Sequence, residues 1–168
     1  GLTGYIEKDW GISFPSSWIW MQGNDFEKQK ASFMLSVANI PFLGFEFIGF
    51  LGFLYVDDRV YRFGTYNLAK ITAIQIDGHN VSVTIKHGRD KLMINAKQAK
   101  GGLLKAPKNG NMSATVEESI NANIHVKLMR KNKILFEGSS VLCGMEISHR
   151  AQELVDKLNK GNRSWKAK

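Results

Sequence analysis

From Ile71 onward, apolar and polar residues alternate with a period of two, and turn-forming residues interrupt the alternation at short intervals. Antiparallel strands with one buried face read this way. Val81, Val83 and Ile85 alternate with Ser82 and Thr84; Leu92, Ile94 and Ala96 with Met93 and Asn95; Ala122, Ile124, Val126 and Leu128 with Asn123, His125 and Lys127. Asp57-Asp58, Asp77-Gly78-His79-Asn80, His87-Gly88-Arg89-Asp90, Lys108-Asn109-Gly110-Asn111 and Arg130-Lys131-Asn132-Lys133 punctuate these runs with residues suited to tight turns. Sequential hairpins make a meander, and closing a meander removes its exposed edges, so the pattern predicts an all-β antiparallel barrel. Near the C-terminus the period changes. Ala151, Leu154, Val155 and Leu158 share one helical face, Ser148 stands where a cap is needed, and Gly161 is a stop signal. These predict one helix over about 149–160, a frayed tail over 161–168, and a single domain spanning 1–168.

The segment 37–56 departs from simple alternation, being long and apolar enough to suggest a membrane-spanning helix. Pro41, Gly44, Glu46, Gly49 and Gly52 argue against a helix, and Phe45, Phe47, Leu51, Phe53 and Tyr55 recur at strand spacing. Two buried strands joined near Gly49–Gly52, or one long bent strand, fit better. Phe42, Leu43, Phe45, Phe47, Ile48, Phe50 and Leu51 are nevertheless too many apolar groups for one strand face. Either both faces are covered, by the C-terminal helix or an upstream half, or the Pro41–Gly52 region lies at the mouth of the barrel against a membrane.

Composition sharpens this picture. At 168 residues, 43% hydrophobic and 23% charged, the chain can bury a core of its own. Cys143 is its one cysteine, which excludes an internal disulfide and fits a reducing compartment. The start at Gly1 rather than at Met points to a cropped or processed N-terminus. The net charge of +8 is unevenly spread: residues 1–58 hold three basic and seven acidic residues (−4), and residues 59–168 hold twenty and eight (+12). Most of the cations are single and interleaved with strand residues, as on a solvated face, so no nucleic-acid partner is expected. The same charge would serve an anionic membrane surface.

Chemistry-bearing residues concentrate near the N-terminus. If Trp18–Asn24 is extended, Trp18, Trp20, Gln22 and Asn24 share one face, setting two indoles beside two amides. Such a wall suits a small-molecule pocket; filling the closed end of the barrel is the alternative. Glu46 lies between Phe45 and Phe47. Desolvation there would raise its pKa and make it an acid, whereas an outward-facing edge position would leave it an ordinary carboxylate. Asp9, beside Trp10, is the second candidate acid, with turn capping as its alternative. His79, His87, His125 and His149 lack metal-ligand spacing, Cys143 has no CxxC partner, and no phosphate loop or nucleophile elbow is present.

The run Glu7-Lys8-Asp9-Trp10-Gly11, then Ser13-Phe14-Pro15, then Trp18-x-Trp20-x-Gln22-x-Asn24-x-Phe26, resembles the tocopherol cyclase family. The likeness continues through Ala31-Ser32-Phe33-Met34, Tyr61-Arg62-Phe63, Lys100-Gly101-Gly102-Leu103-Leu104-Lys105-Ala106-Pro107 and Gly138, covering most of residues 4–147. The resemblance implies a lipocalin-like (calycin) barrel related to carotenoid hydratases, in proteins that commonly hold two such halves, this chain being similar to the later one. It also implies closure of a chromanol ring by protonation of a prenyl double bond and addition of a neighbouring phenol oxygen, with no cofactor. On this chain's own residues, Glu46 or Asp9 would supply the proton. Trp18, Trp20, Phe45 and Phe47 would line the site of the apolar tail, and Gln22 and Asn24 would orient the polar head. The alternative is a non-catalytic isoprenoid or lipid carrier. The expected partners are an apolar small molecule, a membrane surface and an upstream half, and the expected location is cytoplasmic or membrane-associated.

Overall fold

The computed structural model describes residues 6–7, 13–26 and 30–166, with 161–166 as backbone alone. Among the described residues ten antiparallel strands form one sheet: β1 (Trp18–Gly23), β2 (Ala31–Phe42), β3 (Phe45–Val56), β4 (Arg59–Gly64), β5 (Lys70–Asp77), β6 (Asn80–His87), β7 (Asp90–Lys97), β8 (Gly102–Lys108), β9 (Asn111–Arg130) and β10 (Lys133–Ile147). A helix, α1 (Ala151–Lys166), follows. The strand order is β4-β3-β2-β1-β10-β9-β7-β6-β5, with β8 lying on the first half of β9. All five turns expected from polar residues form, between β3 and β4, β5 and β6, β6 and β7, β8 and β9, and β9 and β10. Asp57, Asp58, Gly78, Gly88, Asn109, Gly110 and Lys131 adopt the positive φ that tight hairpin turns demand.

The alternating residues face as expected. Val81, Val83, Ile85, Leu92, Ile94, Ala122, Ile124, Val126 and Leu128 are buried along one face, and they meet Phe33, Leu35, Leu54 and Met145 from the other strands. Side chains at 0–2% exposure leave no solvent-sized space beside them, so the interior of the curled sheet is a packed core.

Four expectations are corrected. The hydrogen-bonded ladder does not close: β4 and β5, joined by a short 3-10 turn at Thr65–Asn67, are the two edges of the sheet. Side chains draw the sheet's ends together instead. The Phe63 ring meets His87 edge to face at 6.3 Å, and the Arg130 guanidinium, bonded to Asp90, lies 5.9 Å from the centre of the Tyr61 ring. The 37–56 segment is two strands, but they join at Leu43-Gly44 and not near Gly49–Gly52. Gly49 and Gly52 sit inside β3, where a Cβ would come within 2.5 Å of the Ile40 side chain and 2.7 Å of the Met34 carbonyl. Ser148 does not cap the helix with its side chain. Its Oγ accepts from the Trp18 N–H at 2.9 Å, and its own N–H donates to the Trp18 carbonyl, tying the end of β10 to the start of β1. The helix also continues through Gly161 to Lys166, since a single glycine costs only about 1 kcal/mol in a helix interior. Ala151, Leu154 and Val155 are buried, and α1 packs chiefly on β5. Among the described residues, no helix is long and apolar enough to cross a membrane.

Candidate functional site

β1 determines where the indoles go. Ile19 and Met21 are fully buried, so the strand's alternation turns Trp18, Trp20 and Gln22 to the outer face of the sheet. The expected aromatic wall therefore exists, but outside the barrel. Its neighbours are small. Trp18 stands opposite Ala38, and Trp20 stands opposite Ser36 on β2 and Glu146 on β10. Gly144 lies beneath the Trp20 ring, where a Cβ would come within 2.9 Å of it, so glycine is required for the indole to lie flat on the strand. The segment before β1 forms the remaining wall. Its Phe14 ring meets Trp18 edge to face at 5.5 Å. The segment is fixed by Phe14 N–H donating to the Pro107 carbonyl at 3.2 Å and by Asn109 N–H donating to Ser13 Oγ at 2.8 Å. Phe14, Pro15, Trp18, Trp20, Ser36, Ala38, Glu7 and Glu146 enclose an open groove of about 330 Å³.

Carboxylates accompany both indoles. Trp18 Nε1 donates to Glu146 Oε2 at 2.7 Å, and Trp20 Nε1 donates to Glu7 Oε2 at 3.2 Å. Burial pushes the Glu146 carboxyl above the ordinary range; the Trp18 hydrogen bond opposes this, and the nearby Glu118 and Glu7 charges add to it. Glu118 faces Glu146 directly across the β9–β10 ladder. The result is an acid-prone carboxyl against an aromatic wall, with one oxygen fixed by an indole.

Glu46 has a different environment. It lies on the core-side face of β3, at the rim, paired with Pro41. Its carboxylate accepts from the buried Asn39 amide, from Lys157 Nζ at 3.2 Å and from Ser16 Oγ at 3.4 Å. The Asn39 amide, and after it Lys157, hold the Glu46 carboxyl below the usual range. It is therefore ionised near neutral pH and latches α1 to the rim, the opposite of the protonated state an acid needs. Phe45 and Phe47 stack edge to face on Phe42 at 5.5 and 6.3 Å around the β2–β3 turn, on the outer face but not among the residues that line the groove. Gln22 continues the outer row beside Trp20, with its Oε1 directed toward Gly144. Asn24 lies past the end of β1 and accepts from Ser32 Oγ at 2.6 Å. Asp9 falls outside the described residues. Among those that are described, no group of His, Cys, Asp and Glu is placed to hold a metal ion.

Of the residues singled out in the sequence, the structure thus brings Trp18, Trp20 and Gln22 into one row and leaves Glu46, Phe45, Phe47 and Asn24 elsewhere. Sequence reasoning missed Glu146, whose placement depends on β1 pairing with the last strand. No curated protein and no solved structure matches the chain. The model of the tocopherol cyclase-like family matches residues 2–149, a span containing every strand and the whole groove. By that match the chain belongs to the tocopherol cyclase-like family.

Proposed function

We propose that the outer groove binds an apolar, isoprenoid-type molecule and that Glu146 is the proton donor of a cofactor-free cyclisation of a prenylated quinol. The observation that carries this reading is the Trp18 Nε1 to Glu146 Oε2 hydrogen bond, in a carboxyl whose affinity for a proton is raised by burial. With Oε2 engaged by the indole, Oε1 carries the proton. In the step proposed, that proton adds to a prenyl double bond, whose electron pair forms the new C–H bond and leaves a tertiary cation. The faces of Trp18 and Trp20 stabilise the cation through their ring quadrupoles. The neighbouring phenol oxygen then forms the C–O bond and loses its proton to the Glu146 carboxylate. Atoms and charge balance, and the acid is restored. A groove of about 330 Å³ is at the lower end for small-molecule sites, so it suits a few prenyl units with the remainder extending along its open side.

The test is turnover of a prenylated quinol, followed by mass spectrometry and chiral analysis of the ring. Glu146→Gln keeps an acceptor for the Trp18 indole and removes the acid; it should bind substrate and lose about 10²–10⁴-fold in rate. Glu46→Gln should be affected far less. If the wild-type protein retains the quinol and never converts it, the carrier reading replaces the catalytic one. If Trp18→Ala and Trp20→Ala bind the quinol as tightly as wild type, the groove is not the site.

A further inference from the structure

We infer that the β2–β3 hairpin tip is a membrane-docking element that inserts into an anionic phospholipid bilayer. The chain contains several hairpin turns with residues at positive φ, and most are polar: Asp57-Asp58, Asn109-Gly110 and Lys131. The turn between β2 and β3 places Leu43 at φ 45° and Gly44 at φ 85°. Leucine is a poor residue for that backbone region, where Asn and Asp are tolerated and Gly is free. Among the described residues Leu43 gains little packing in return, since it is 86% exposed. Phe42 and Phe45 beside it are 52% and 56% exposed, and their rings stack on each other at the tip, away from the core. A strained leucine between two exposed phenylalanines is costly in water and suited to an apolar medium.

Shape and charge choose the bilayer over a protein groove. The exposed Phe42, Leu43 and Phe45 stand at the turn of a hairpin that runs past its pairing with β1 at Ala38 and with β4 at Leu51, so they form a projecting tip, and Ile40 and Phe47 behind them are also partly exposed. Around the same end of the sheet, Arg150 and Lys157 are paired with Glu153 and Glu46, and Lys108, which lines a cleft with Arg150, Glu46 and Pro41, adds one further cation. Cations behind an apolar tip complement anionic headgroups. The outer groove shares Phe14, Pro15 and Trp18 with that cleft, so docking would bring its upper end to the bilayer surface. The inference stands whether or not the groove converts a ligand.

Flotation of the full chain with vesicles of phosphatidylcholine and phosphatidylglycerol, against phosphatidylcholine alone, tests it. The wild-type protein should float with the mixed vesicles and much less with the neutral ones. Leu43→Asn, which suits the positive φ and so keeps the fold, should reduce partitioning by about tenfold, and Phe42→Ser should do the same. Val60→Ser, at an exposed position of β4 toward the opposite end of the sheet, should leave partitioning unchanged. Wild-type protein that stays unbound on both vesicles, or unchanged partitioning in folded Leu43→Asn and Phe42→Ser, overturns the inference. So does a loss in Val60→Ser equal to theirs, or a tip that proves to be buried in a dimer in solution.

Discussion

At one end of the curled sheet the turns are Asp57-Asp58, Gly88-Arg89 and Lys131-Asn132, and Arg130 holds Asp90 in a two-point hydrogen bond while covering Tyr61. At the other end, Leu43-Gly44 projects between two phenylalanines, α1 is latched to the rim by Glu46 and Lys157, and the indole groove opens down the outer wall. Leu43-Gly44 and Asp57-Asp58 are both two-residue turns with positive φ at each position, so backbone requirements do not account for the difference. The first end is finished: polar residues meet water, and side chains bridge the gap the ladder leaves open. The second presents apolar groups that the described residues do not cover, beside a carboxyl whose proton affinity is raised. An exposed aromatic hairpin tip and a carboxyl of raised proton affinity thus lie toward one end and along one flank, outside a core filled by its own side chains.

Leucines at the two ends should respond in opposite directions to substitution. Leu128, fully buried toward the polar end, should cost about 2–5 kcal/mol when changed to Ala, as a cavity forms in a packed core. Leu43→Asn at the apolar end should cost nothing and gain up to about 1 kcal/mol, because the strained backbone is relieved. Denaturant titration of both variants checks this; a large loss in Leu43→Asn would mean that the tip is part of the core.

A smaller effect sharpens the carboxyl contrast. Glu146 has its folded-state pKa raised, so the folded protein binds a proton more tightly than the unfolded chain. Its ionisation therefore penalises folding as pH rises from the ordinary carboxylate value through the raised one, and the penalty is absent in acid. Glu146→Gln should be more stable than wild type at neutral pH, and the difference should vanish below the carboxylate range. Thermal unfolding at several pH values would show it; a variant less stable at every pH would contradict the assignment.

Glu46 has the opposite sign. Its pKa is lowered by Asn39 and Lys157, so its contribution is present above the ordinary carboxylate range and lost as pH falls through the lowered value. Protection of the α1 amides from hydrogen exchange, taken relative to the intrinsic exchange rate at each pH, should therefore fall in acid before that of the strands, and Glu46→Gln should show the reduced protection already at neutral pH. This is the smallest effect expected, since the pair is half exposed.

Much of this architecture was legible in the sequence. Strict alternation in 81–85, 92–96 and 122–128 made burial on one face unambiguous, and polar turn residues marked five of the hairpins. The Leu43-Gly44 turn was hidden because leucine does not advertise a turn, while Gly49 and Gly52 imitate one; their real role is to admit the Ile40 side chain and the Met34 carbonyl. The outer position of the indoles was hidden for another reason. Along Trp18–Gly23 both faces are largely apolar, so period two identifies the rows without saying which is inside. Glu146 could not be found at all from local pattern, because its partner Trp18 lies near the start of the chain and the two meet only through the β1–β10 ladder.

The most direct test of the groove as the binding site is photocrosslinking with a prenyl chain bearing a diazirine, followed by peptide mapping of the labelled protein. Labels are expected on Trp18, Trp20, Phe14 or Ala38, competed away by unlabelled prenylated quinol and lost in Gly144→Leu, where the new side chain displaces the Trp20 ring. Labels confined to interior residues such as Phe33, Leu35 or Ile94 would contradict it, because the ligand would then occupy a barrel that the structure shows filled.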